Sequence, residues 1–170
     1  TGKLYDFFDR FIINAQNQPA AQESFIASTD GGDTWSTPKA IADDLSVQPV
    51  DPATGALLRT SFGLPDPAID PATGQLYLVW EDARFSNGAF DEIALSTSVD
   101  GGATWSVPQR INTPTGGLLS GLAFNPQIAV ADNGVIGVSY CDIRNLAVTT
   151  DPATLPTNCW MITSPAGGPA

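Results

Sequence analysis

Two stretches 70 residues apart carry one pattern, S-x-D-x-G-x-T-W: Ser28-Thr-Asp30-Gly-Gly32-Asp-Thr34-Trp35 and Ser98-Val-Asp100-Gly-Gly102-Ala-Thr104-Trp105. An Asp carboxylate can accept hydrogen bonds from backbone N–H groups just ahead of it, and the Gly that follows reaches positive φ without a Cβ clash. The pattern therefore predicts a tight, self-capped hairpin turn. The Ser and Thr hydroxyls can bond backbone groups across it, while Trp35 and Trp105 are expected to return apolar surface to the core at the head of the next strand. Runs such as Asp30-Gly-Gly-Asp33 look superficially like calcium loops. Neither copy has the full oxygen ligand set, closed by a Glu, that an EF-hand needs. The turns are thus read as structural, and neither a metal nor a cofactor is expected.

The repetition extends past the turns. Thr1-Gly-Lys-Leu4-Tyr5-Asp-Phe-Phe8-Asp9 aligns with Thr73-Gly-Gln-Leu76-Tyr77-Leu-Val-Trp80-Glu81, and each is followed by a polar connection, a short apolar strand and the turn. Residues 1–41 and 73–111 are therefore one unit met twice. In the second copy, Gln75 to Trp80 is nearly continuous apolar sequence, the pattern of a strand buried on both faces. Glu92 to Ser96 predicts the next strand and Val107 to Ile111 the one after the turn. Upstream, Pro67 to Ile69 is a short strand ended by the turn Asp70-Pro-Ala-Thr-Gly74. A third unit opens at Asn125-Pro-Gln-Ile128, parallel to Asp66-Pro-Ala-Ile69, and continues with strands at Gly134 to Tyr140 and Asn158 to Thr163.

With 42% hydrophobic residues in 170, and 14 Pro and 16 Gly scattered as punctuation, the chain suits a single turn-rich all-β domain. Eighteen acidic against seven basic residues give a formal charge of −11. That field disfavours a nucleic acid or an anionic membrane as partner. No apolar run is long enough for a transmembrane helix, and no signal peptide is recognisable; a processed N-terminus at Thr1 would account for the latter. The absence of His excludes Ser–His–Asp and Cys–His triads and His-ligated zinc within this chain. Acid–base chemistry would fall to carboxylates, Tyr, Lys or Arg. Cys141 and Cys159 leave two readings: a disulfide, if they end one strand and begin its antiparallel neighbour, or two buried free thiols.

The paired S-x-D-x-G-x-T-W pattern resembles the Asp-box, or BNR repeat, of sialidase-like β-propellers. Leu4-Tyr-Asp-Phe-Phe-Asp9, Trp80-Glu-Asp82-Ala-Arg84-Phe85, Tyr140-Cys-Asp142-Ile-Arg144-Asn145, Asp151-Pro-Ala-Thr-Leu-Pro and Trp160 extend the resemblance over nearly the whole chain. It is similar to secreted bacterial members of the superfamily, many of them called exo-α-sialidase. The fold so implied is all-β: a partial sialidase-like β-propeller of about three four-stranded antiparallel blades, open at both ends. The blades fall at about 1–45 (lacking its first strand), 65–113 and 124–170 (lacking its last strand), in one domain spanning 1–170. Since a ring closes at about four to eight blades, the remaining blades are expected from the same longer chain or from other subunits. Positions 141 and 159, where the family leads one to expect aromatic residues, are both Cys, a paired departure that supports the disulfide.

The resemblance also orients the blades. It puts the connection between second and third strands, and that from one blade to the next, on the face that carries the site, with the Asp-box turns on the opposite face. Asp82-x-Arg84 and Asp142-x-Arg144 then occupy matching places on the functional face, with Asp9-Arg10 near the corresponding place in the first unit. The connections Ala42 to Leu64 and Asn112 to Phe124 would join them. As ligand-binding residues, Arg84 and Arg144 would be forks for a sugar carboxylate, and Asp82 or Asp142 an acid or base. The competing reading is an Asp–Arg pair within each blade that fixes the strand exit, which recurrence in successive blades favours. Sialidases carry an Arg triad, often with an F/Y-R-I-P motif, and a Tyr–Glu nucleophile pair. No such motif is present, and Tyr5, Tyr77 and Tyr140 all fall in predicted second strands. Glu23 and Glu92 belong near third strands and Glu81 ends a second strand, so no Tyr–Glu pair is nameable from spacing. The leading expectation is a secreted module that binds a glycan or another extracellular ligand, or acts as a scaffold. Its rival is a glycoside hydrolase whose site is shared with blades outside this chain; assembly through exposed blade edges ranks third.

Overall fold

Three antiparallel sheets, each made of consecutive hairpins, hold the strands of the computed structural model, which describes residues 2–113, 121–146 and 155–165. The first sheet joins β1 (Leu4–Ile13), β2 (Pro19–Ser28) and β3 (Lys39–Asp44) in the order β1-β2-β3. The second joins β4 (Asp66–Ile69), β5 (Leu76–Asp82), β6 (Glu92–Ser98) and β7 (Gln109–Arg110) in sequence order. The third joins β8 (Ala123–Val130), β9 (Ile136–Asp142) and β10 (Asn158–Ser164), with β9 central. A single turn of 3₁₀ helix, Ala83–Ser86, links β5 to β6. No helix among the described residues is long and apolar enough to cross a membrane.

The second sheet lies between the other two, which is why β5 reads as unbroken apolar sequence: all seven of its residues are buried. Side chains alternate across a strand. Tyr77 and Val79 therefore face the third sheet, in a cluster with Ile93, Leu95, Ile128, Val138 and Tyr140. Leu78 and Trp80 face the first sheet, where Phe7, Ile41, Ala42 and Trp105 pack on them.

Two strand expectations shift. Beyond the second turn the strand paired with β6 is Gln109–Arg110, with Ile111 N still bonded to the Ile93 carbonyl. It does not start at Val107, because Pro108 has no N–H to donate and Val107 stands 81% exposed. In the third sheet the central strand starts at Ile136 and not at Gly134. Gly134 is in a turn, with φ 78° and its N–H bonded to the Ala131 carbonyl at 2.8 Å.

The two S-x-D-x-G-x-T-W turns join β2 to β3 and β6 to β7 with the same hydrogen bonds. Ser28 Oγ accepts from Gly32 N at 2.9 Å and donates to Asp30 at 2.6 Å; Asp30 also accepts from Thr34 N at 2.9 Å and from the Thr34 hydroxyl. In the second copy Ser98 Oγ accepts from Gly102 N at 2.9 Å, and Asp100 accepts from Ser98 Oγ at 2.8 Å, Thr104 N at 2.9 Å and Thr104 Oγ1 at 2.6 Å. These donors hold both carboxylates well below their usual range, with Ser28 the leading donor for Asp30 and Thr104 for Asp100. The tryptophans part company. Trp105 packs edge-on against Phe7, between the first and second sheets. Trp35, expected in the core, is 42% exposed and bonds the Gly32 carbonyl of its own turn at 3.1 Å. Among the described residues no sheet covers the outer side of the first.

The glycines of the second turn also dock. Lys3 Nζ and the Tyr5 hydroxyl donate to the Gly101 carbonyl at 3.1 and 3.2 Å. A Cβ on Gly102 would stand 2.5 Å from Phe25 Cζ. A Cβ on Gly32 would meet nothing nearer than Leu4 Cδ1 at 3.7 Å.

Cys141 and Cys159, directly opposite on β9 and β10, form the disulfide. It ties the outer strand of the third sheet to its centre.

Candidate functional site

Antiparallel order sends the C-terminal ends of β1, β3, β5, β7 and β9 to the same end of the sheets. With them go the connections through residues 45–65 and 83–91, residues 111–113 and 121–122, and residues 143–146 after β9. We call this the loop end; the S-x-D-x-G-x-T-W turns and the Asp70 turn occupy the other. Part of the Asn112 to Phe124 connection and most of Asp151-Pro-Ala-Thr-Leu-Pro lie outside the described residues, as does the tail from residue 166.

Asp82 and Asp142 end their strands on the loop end, and each holds its arginine. Asp82 accepts from Arg84 N at 2.8 Å, Arg84 Nε at 2.9 Å, Arg84 Nη2 at 2.7 Å and Trp80 Nε1 at 2.8 Å. Arg84 Nη2 also donates to the Asp43 carbonyl of β3. Asp142 accepts from Arg144 N at 3.3 Å, from Arg144 Nε, and from Trp160 Nε1 at 3.0 Å; Arg144 Nη2 bonds the Tyr140 hydroxyl at 3.3 Å. The guanidiniums lie over the same indoles, 5.8 Å from the Trp80 ring and 4.1 Å from that of Trp160. A Trp–Asp–Arg unit thus recurs at two strand exits. The indole comes from the same strand in one case and from the neighbouring strand in the other, so residue spacing alone could not reveal it. Both guanidiniums direct their Nε and Nη2 at oxygens of this chain.

The first sheet is different. Arg10 lies opposite Gln22 in register and makes no ion pair among the described residues. Asp9 stands directly across from Glu23. Glu23 is 1% exposed, and its carboxyl is pushed up to about 9, chiefly by burial and then by Asp44, Asp9 and Asp82. Burial also raises Asp9 and Asp44, each against a second carboxylate, though two bonds from Ser46 partly offset the effect on Asp44. Asp91, preceding β6, is pushed up to about 8 by burial although it accepts from Val47 N at 2.9 Å. Glu81 is raised by burial and partly compensated by bonds from Asn125 N, Ser61 and Thr60 at 2.7 to 3.0 Å. Asp9 Oδ1, Glu23 Oε2 and Asp91 Oδ2 are buried without a hydrogen-bond partner.

Two cavities open near these groups. One, of about 280 Å³, is lined by Asp9, Phe11, Asp44, Ser46, Phe62 and Gly63. The other, of about 570 Å³, lies over the disulfide, between Ser61, Asp66, Asn125, Gln127 and Tyr140. No group of three or more acidic or Cys side chains among the described residues is arranged to hold a metal ion. Nor does a tyrosine bond a glutamate: the Tyr5 hydroxyl bonds Gly101, that of Tyr140 bonds Arg144, and that of Tyr77 is buried without a partner. Glu92 pairs with Arg110 at 3.0 Å.

Sequence reasoning placed Asp82, Arg84, Asp142 and Arg144 at one end but did not single out Glu23, Asp44 or Asp91. A usable signal existed for Glu23. The hairpin at Asn14 to Gln18, where Asn14 Oδ1 accepts from Gln16 N and Gln18 N, fixes the register, and counting outward from it pairs Asp9 with Glu23. The Asp51-Pro-Ala-Thr-Gly55 turn was also legible, as a copy of Asp70-Pro-Ala-Thr-Gly74. Each Asp accepts from the backbone two residues on and from the Thr hydroxyl.

Among solved structures, the chain is similar to the Hadza microbial sialidase Hz136, at TM-score 0.51 and 18% identity over 85% of this chain and 29% of that one. It is equally similar to a protein of unknown function from Dyadobacter fermentans DSM 18053, at TM-score 0.51 and 18% identity over 92% of this chain and 38% of that one. The chain thus spans less than half the length of either. No curated protein matches it. At that identity the structures speak for the fold, while the model of the BNR repeat-like domain matches residues 21–166 directly. With sequence and fold in agreement over nearly all of its length, the chain belongs to the sialidase-like BNR repeat family.

Proposed function

We propose that this chain forms about three blades of a secreted, sialidase-like β-propeller and binds a glycan at the loop end, without itself carrying a complete catalytic set. In this reading the sheets are blades, the two recurrent turns are Asp-boxes, and the remaining blades come from a longer chain or from other subunits. The observation that carries it is the gathering toward the loop end of buried Glu23, Glu81 and Asp91 with half-buried Asp9 and Asp44, all shifted toward their protonated forms. Perturbed groups beside a cavity are the usual mark of a binding site. Support for further blades comes from β1, whose outer edge is unpaired among the described residues while Phe11 and Ile13 stand 85% and 64% exposed. The Arg84 and Arg144 pairs act in this reading as the braces of the strand exits.

One observation favours a hydrolase instead: Glu23 and Asp91 keep their protons near neutral pH, as a general acid must. The full-length protein, offered a fluorogenic sialoside and a glycan array side by side, separates the two. Glycan binding without turnover is the expected result. Turnover that falls in Glu23→Gln or Asp91→Asn establishes the hydrolase, and silence in both assays removes the binding reading.

A further inference from the structure

We propose that the pocket lined by Asp9 and Asp44, with Glu23 buried beside it, receives the protonated amino group of an amino sugar. The inference rests on the loop-end binding reading above and names its ligand class. The three carboxyls come from three adjacent strands of the first sheet. Asp9 and Glu23 are directly opposite in register, so their side chains leave the sheet on the same face, toward Asp82 of the second sheet. Asp44 closes the group from the end of β3.

Carboxyls alone define nothing, but here one is almost wholly buried, on the same sheet face as Asp9 and within the field of Asp44, with an oxygen unmatched. Glu23 is 1% exposed and its Oε2 has no partner, while Asp9, a residue of the cavity wall, has a buried Oδ1 that lacks one too. Two unmatched acceptor oxygens beside a third carboxylate call for a donor of positive charge. The only cation among the groups shown to act on this cluster, Arg84, directs its guanidinium to Asp82 and the Asp43 carbonyl. Arg10 is the next residue along β1 from Asp9, so its side chain leaves by the other face.

The size and remaining lining narrow the ligand. At about 280 Å³ the cavity sits at the small end of the ~300–1,000 Å³ range for small-molecule sites, which suits one sugar ring. Ser46 offers a hydroxyl, and Phe62, 39% exposed, offers an apolar face on which a ring can lie. An ammonium group presents three donors and takes them wherever three acceptors surround it, unlike a divalent metal, which demands a coordination geometry these side chains do not supply. A carboxylate-bearing sugar is disfavoured in this pocket by like-charge repulsion.

Binding a cation here opposes the forces that keep Glu23 protonated, so the proposal predicts a coupled proton. The groups facing Glu23 are Asp9 on β1, Asp44 on β3 and Asp82 on β5, with Arg84 behind Asp82 and Asp44. At pH 6 the ligand amine is fully charged and Glu23 carries its proton, and seating the ammonium drives that proton off.

Calorimetric titration of the full chain with glucosamine, N-acetylglucosamine and N-acetylneuraminic acid at pH 6, in two buffers of different ionisation enthalpy, tests this. Glucosamine is expected to bind at least tenfold tighter than its neutral acetylated form and to release up to one proton. N-acetylneuraminic acid is expected not to bind. The double variant Asp9→Asn/Asp44→Asn should lose at least tenfold in glucosamine affinity while its melting temperature holds or rises, because it removes repulsion. Glu23→Gln should abolish the proton release. Equal affinity for the three sugars, or a glucosamine preference untouched by the double variant, overturns the amino-sugar assignment and leaves loop-end glycan binding standing. If no sugar binds here or on the array, both fall together.

Discussion

Asp30 and Asp100, in the turns at one end of the sheets, are exposed and each accepts hydrogen bonds from hydroxyl and backbone donors supplied by its own turn. Glu23 and Asp91, toward the other end, are buried among further carboxyls, and each has an oxygen that nothing satisfies. The two ends use one functional group for opposite purposes. At the turn end the donors are local in sequence, so the geometry is complete within eight residues and stabilises the hairpin. At the loop end the neighbours come from different strands and sheets, and the group is held by the fold in a state it would not choose. A site that has to recognise something else is expected where satisfaction has been left undone.

The sharpest way to break this comparison is to remove a loop-end carboxylate that is satisfied. Asp82 is wholly buried and anchors Arg84 and Trp80. Asp82→Ala is expected to cost about 3–5 kcal/mol in urea unfolding, the range for breaking a buried pair. A cost no larger than that of Asp100→Ala would dissolve the distinction between the two ends.

A smaller effect tests whether the turns act only within themselves. Gly102→Ala places a methyl against Phe25 at a backbone φ of +85° and is expected to cost about 1–3 kcal/mol. Gly32→Ala has comparable backbone strain and open space around it, so it should cost less. Equal thermal shifts in the two variants would show that docking on the first sheet contributes nothing.

The gentlest test is the pH profile. Glu23 binds its proton more tightly folded than unfolded, so its contribution to stability is full below its ordinary value of 4.5 and declines as pH rises toward about 9. Asp30 and Asp100 run the other way: their contribution is present above the ordinary Asp value of 3.8 and is lost as pH falls below it. In chemical denaturation across this span, Glu23→Gln should flatten the alkaline decline and Asp100→Asn the acidic one. If Glu23→Gln leaves the alkaline limb unchanged, Glu23 is not the crowded group described here.

What the sequence made legible follows the same division. The recurrent turns could be read with their bonding roles, because every donor and acceptor lies inside one short pattern. The buried run Leu76 to Trp80 betrayed a strand covered on both faces, and Asp82-x-Arg84 and Asp142-x-Arg144 showed themselves by recurrence. The Trp80 and Trp160 contacts did not, since one indole reaches its Asp along a strand and the other across a ladder. Glu23 looked like an ordinary residue near a strand. Its character depends on Asp44 and Asp82, which are 21 and 59 residues away in sequence and meet it only once β3 pairs with β2 and the second sheet packs on the first. Trp35 and Trp105 have the same letters around them and different fates, because burial is decided by whether a sheet lies in front of the ring.

The contact between Gly102 and Phe25 has a meaning beyond stability. The turn of the second sheet presses its glycine backbone onto a ring of the first, and so acts as a gauge that sets how closely two repeats approach. Identical motifs therefore carry unequal obligations: at Gly32 a glycine serves only the curl of the chain, whereas at Gly102 it also sets the spacing between neighbours. Exchanging the two units would preserve every turn and still misfit the stack.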